Sequence, residues 1–73
     1  MRLVIKNNNY TKGEIVKSIR EWSGKTQKEF ADGIKKSKVS IQKYEADINN
    51  FTMQTFLDMA KDNDVQIILE KKK

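Results

Sequence analysis

"TQKEFADGIKKSKVSIQKYEAD", Thr26 to Asp47, sets five lysines among a handful of apolar residues: Phe30, Ala31, Ile34, Val39, Ile41 and Tyr44. It opens with a capping box, in which the Thr26 hydroxyl can accept from the Glu29 backbone N–H while the Glu29 carboxylate reaches back. Phe30, Ala31 and Ile34 then form an apolar stripe, so a helix of about two turns is expected from about Gln27 to Gly33. Ser37 is a cap for a second short helix over about 37–45, which carries Ile41 and Tyr44 one turn apart. Two short helices that cross steeply need a small residue where their backbones approach, and Ala31 suits that place. With Ile41 and Tyr44 facing the crossing, Lys38, Val39, Gln42 and Lys43 are left on the other faces of the second helix.

The same cues extend outward. Upstream, "TKGE" at Thr11 repeats the capping box, and Ile15, Val16 and Ile19 share one helical face that Trp22 continues, until Gly24 breaks the run. This predicts a helix near Lys12 to Trp22. Downstream, "ADINN" has turn chemistry, and Thr52 caps a helix in which Met53, Phe56, Leu57 and Ala60 keep three-to-four spacing until Asn63. Helical spacing also assigns Trp22, Phe30, Tyr44, Phe51 and Phe56 to the core rather than to base stacking, which needs exposed aromatics in a basic groove.

At the two ends the period changes. "RLVIK", closed by "NNN", and "VQIILE", bounded by "DND" and the lysine tail, read as strands at about 2–6 and 65–70 that mate with each other. A two-stranded hairpin alone is marginal in water. The strands therefore either pack on the helices or extend a sheet with a second chain, and a dimer would cover an otherwise open edge.

From Gln27 the residues run Gln27, Phe30 and Ala31, Ile34, Ser37, Ile41, then Tyr44 with Glu45 directly after it. This cadence resembles the lambda-repressor-like (Cro/XRE) helix-turn-helix family, over about Glu14 to Val65. The resemblance implies a mainly α, compact domain of four to five helices with short terminal strands, its helix-turn-helix at about 26–46 in one domain spanning 1–73. Three positions depart from the family pattern: Lys35 and Lys36 stand where a Gly and an apolar residue are usual, and Asp47 where Gly is common. A left-handed lysine costs about 1 kcal/mol or more relative to Gly. Either the turn takes that conformation or Gly33 ends the helix early.

The resemblance further implies sequence-specific binding of double-stranded DNA, with the helix at 37–45 in the major groove. Lys38, Val39 and Lys43 are the implied base-contacting residues: Lys donates to guanine O6 and N7, and Val39 meets a thymine methyl unless it packs inward. Gln27, Ser37 and Ser40, with Asn49 and Asn50 in the following loop, are the implied phosphate contacts, although Gln27 and Ser37 also serve as helix opener and cap. Lys28, Lys35 and Lys36 read as general electrostatic surface, and Glu45 as a structural partner, with Arg20 a candidate mate. The implied protein is a small transcriptional regulator that works as a homodimer on a palindromic operator. The rival reading is an antitoxin-like or phage accessory protein whose main surface binds another protein.

Composition agrees with these expectations. The 73 residues carry 15 Lys plus Arg against 10 Asp plus Glu, a net charge of +5 that favours an acidic partner. With neither Cys nor His, disulfides, thiolate metal sites and the commonest general base are excluded. Asp58, Asp62 and Asp64 lack calcium-loop spacing, and no phosphate loop or nucleophile-base pair is found. No cofactor, metal or enzymatic activity is expected. A cytoplasmic setting fits, because no signal-peptide or membrane-spanning run is seen.

Overall fold

The computed structural model describes residues 2–5 and 10–69. The expectations for Lys6, the Asn7 to Asn9 loop, Glu70 and the lysine tail lie outside these residues. Strand β1 (Arg2–Ile5) precedes four helices, α1 (Lys12–Trp22), α2 (Gln27–Gly33), α3 (Lys38–Glu45) and α4 (Met53–Asp62), and β2 (Gln66–Leu69) ends the series.

Each helix starts in the same way. Thr11, Thr26, Ser37 and Thr52 have extended backbone, and each side-chain oxygen accepts from the backbone N–H three residues on, at Glu14, Glu29, Ser40 and Thr55. At α1 and α2 the glutamate returns the bond and completes the capping box. Each helix also stops in the same way. A left-handed residue, Gly24, Lys35, Asp47 or Asp64, follows the cap. The next N–H then reaches back to the last turn: Lys25 to the Arg20 carbonyl, Lys36 to Ala31, Ile48 to Lys43 and Val65 to Ala60. These are Schellman turns. Of the two alternatives at Lys35, the turn takes the left-handed one: α2 runs through Gly33, Ile34 is the cap, and Lys35 has φ 59°.

The core gathers Val16 and Ile19 of α1, Phe30 and Ala31 of α2, Ile41 and Tyr44 of α3, Met59 and Ala60 of α4, and Val65. Phe51 meets the Tyr44 ring edge-on at 5.3 Å and lies 6.0 Å from Phe56. Three expectations are corrected. Trp22 is 46% exposed, because successive three-residue steps fall short of a full turn, so a residue two steps beyond Val16 has rotated off the buried face. Met53 and Leu57 are likewise exposed, and α4 buries Thr55 and Met59 instead. The Thr55 hydroxyl can go inside because the Thr52 hydroxyl donates to it at 3.1 Å.

The third correction concerns the strands. They pair within the chain, as expected mates, but in parallel: Arg2 lies beside Gln66 and Ile5 beside Leu69. A hairpin would need a tight turn, whereas here four helices carry the chain back to run alongside its own start. Ile67 packs against the core and so ties β2 to the helices.

Candidate nucleic-acid interface

The helix-turn-helix is α2, the Ile34 to Ser37 turn, and α3. Three long-range contacts fix the pose of α3. Its buried residues, Ile41 and Tyr44, join the core with Phe30 and Ala31. At its C-terminus Glu45 binds the Arg20 guanidinium in a fork, Nε to Oε2 at 2.6 Å and a terminal nitrogen to Oε1 at 3.1 Å. The same guanidinium donates to the Lys25 carbonyl at 3.1 Å, and the Gln27 amide donates to Glu45 Oε1 at 3.3 Å. Glu45 thereby joins α1, the α1–α2 turn, α2 and α3. Its hydrogen bond raises the Arg20 pKa above the ordinary arginine value, so the guanidinium stays charged.

The third contact lies one residue beyond the cap of α3. Asp47 Oδ1 accepts the Gly13 N–H at 2.8 Å, a donor that α1 leaves open in its first turn. The two backbones come so close that a Cβ on Gly13 would run into the carbonyl oxygens of Tyr44 and Glu45. Glycine is required here by contact rather than by φ.

With α3 held in this way, its outward surface is basic. Between Gly33 and Tyr44 there are four lysines and no acidic residue. The flanking acids are engaged, Glu45 by Arg20 and Asp32 by Lys28 at 3.1 Å. Lys38, Val39 and Lys43 are all exposed, and Val39, 53% accessible, does not pack inward. The structure therefore brings the three residues expected at base edges onto one face.

Ser37 and Ser40 sit at the N-terminus of α3 with hydroxyls 3.0 Å apart, an arrangement that leaves one hydroxyl hydrogen for an external acceptor. Asn49 and Asn50 are exposed in the turn after α3. Gln27 is half-buried, and one of its two amide hydrogens goes to Glu45, which leaves the other free to donate.

Sequence reasoning assigned no role to Gln42, which shares the exposed face; its spacing of four residues from Lys38 was the available signal. The Asp47 to Gly13 bond had no local signal, because 34 residues separate the partners. Among the described residues no group of His, Cys, Asp and Glu could hold a metal ion, and no helix is long and apolar enough to cross a membrane. An open groove between the end of α2 and α4, lined by Ile34, Lys35, Asp58 and Lys61 among others, mixes charges of both signs.

Comparison with curated proteins and with solved structures gives no significant match. A family model described as helix-turn-helix matches residues 16–68, from the middle of α1 into β2. That span contains both helices of the motif, the turn between them and the helix that closes the core. The chain belongs to the lambda-repressor-like (Cro/XRE) helix-turn-helix family, whose members are DNA-binding transcription regulators.

Proposed function

We propose that this chain, as a single domain, is a sequence-specific regulator that inserts α3 into the major groove of double-stranded DNA and acts as a homodimer on a palindromic operator. The observation that carries the reading is the exposed face of α3, which is basic and free of acid while its other side is locked to α1 and α2. Lys38 and Lys43 donate to guanine edges and Val39 packs on a thymine methyl. Gln27, Ser37, Ser40, Asn49 and Asn50 hold phosphates and set the register. Two such helices about 34 Å apart read successive turns of one face of the duplex. The open edges of the two-stranded sheet are the surfaces offered for the two-fold contact.

Selection from randomised duplexes at moderate salt, with excess random DNA as competitor, tests this directly. A defined motif is expected. Lys43→Ala should relax one position of it, by about 1–3 kcal/mol of base preference, whereas Lys28→Ala should weaken every sequence alike. Failure to enrich any motif would refute sequence-specific regulation.

A further inference from the structure

The outward face of α3 holds four exposed residues, Lys38, Val39, Gln42 and Lys43. At about 100° per residue they span an arc of about 140°, and Gln42 falls inside it, between Lys38 and Val39. Gln42 also stands nearer the N-terminus of α3 than Lys43. A groove that admits Lys43 to the base edges passes Gln42 on the way.

The amide of Gln42 is uncommitted. The other two helical glutamines spend theirs internally, Gln27 on Glu45 at 3.3 Å and Gln54 on Asp58 at 2.9 Å. Among the described residues, no side-chain hydrogen bond engages Gln42. The nearest acid along its own helix, Glu45, is held by Arg20.

The chemistry of the face leaves a gap that this side chain fits. Lysine only donates and matches guanine; valine offers methyl groups and matches thymine. Neither distinguishes adenine, whose N6 donor and N7 acceptor lie side by side. A planar carboxamide presents the complementary pair.

We infer that Gln42 is a base-reading residue that specifies an adenine within each half-site. The inference rests on the proposed insertion of α3 in the major groove. It adds a fourth reader, one of a chemistry that the lysines and valine lack.

The test is selection from randomised duplexes with the full chain in three forms: wild type, Gln42→Ala and Gln42→Glu. Because Gln42 is exposed, all three should keep the same circular dichroism spectrum. The wild type should enrich a motif with a strong A·T pair. In Gln42→Ala the preference at that pair should fall by about 5- to 150-fold while the other positions stay. In Gln42→Glu, whose carboxylate only accepts, the preference should move to cytosine, which donates from N4. A wild-type motif that Gln42→Ala reproduces at every position overturns the assignment of Gln42 and leaves the regulator reading standing. So does an even loss of affinity for all sequences, which would mark a phosphate contact. The absence of any wild-type motif overturns both.

Discussion

A methyl group is enough to test how α1 meets α3. Alanine at Gly13 would drive its Cβ into the Tyr44 and Glu45 carbonyl oxygens, which are backbone and cannot swing aside. Gly13→Ala should destabilise by about 3 kcal/mol, the upper end of overpacking costs, and shift the urea midpoint accordingly. A midpoint within experimental error of the wild type would mean that the two helices do not approach so closely. Lys35 offers the opposite sign. It is exposed and holds φ 59°, a conformation in which a side chain is penalised and glycine is not. Lys35→Gly should stabilise by roughly 0.5–1 kcal/mol, the relief of strain being partly offset by the greater freedom of glycine in the unfolded chain. The half-exposed Trp22, the one tryptophan, provides the fluorescence signal for both denaturation curves. A lower midpoint for Lys35→Gly would show that the lysine contributes more than its backbone costs.

Helices are the scale at which the sequence was most informative, because their signals are local. Thr11, Thr26, Ser37 and Thr52 each cap the helix they were expected to cap, and the spans of α1 and α2 coincide with the expected ones. Arg20 was a candidate mate for Glu45, and the two do pair, though the bidentate geometry was not foreseen. What local pattern could not supply was the rotation of a helix about its own axis. On α4 an apolar count favours Met53 and Leu57, but Thr55 is buried in their place once Thr52 satisfies its hydroxyl. The outward face of α3 was legible for Lys38, Val39 and Lys43; the contacts that aim it, from Gly13 and Gln27, were not, since each depends on a partner remote in sequence.

The start of α2 also carries a pH dependence. Bonds from the Thr26 backbone N–H, and then from its side chain, lower the Glu29 pKa below the ordinary glutamate value. The unfolded chain therefore binds this proton more readily than the native one, and the contribution is intact above the unfolded pKa. It should be lost as pH falls from about 4.3, the usual glutamate value, through the lower native one. Glu29→Gln keeps an acceptor for the cap without the titration. Thermal midpoints measured between pH 6 and 3 should fall less steeply in Glu29→Gln than in the wild type. Parallel slopes would remove Glu29 from the acid response.

For the whole molecule, the decisive open surface is the sheet. Strand pairing was legible from composition, but its parallel sense was not, because direction depends on where the helices return the chain. Among the described residues the two strands leave two free edges, and the proposed dimer would extend one of them. Sedimentation should show a dimer at micromolar concentration, and Ile68→Glu should dissociate it while helix content is kept. Ile67 is the poorer choice for this test, since it packs on the core and a charge there would damage the monomer as well. A wild-type chain that sediments as a monomer at operator-saturating concentrations would eliminate the strand interface.

The parallel ladder also sets an order in time. Arg2 waits for Gln66, a separation of 64 residues, whereas every helix closes on neighbours within its own few turns. During synthesis β1 leaves the ribosome before the helices and finds its partner after the four of them can already have met. Long-range closure of this kind is slow relative to helix formation. In a refolding experiment the strand amides should therefore gain protection from exchange after those of α1 to α3, so that the DNA-facing motif is assembled before β1 and β2 are joined.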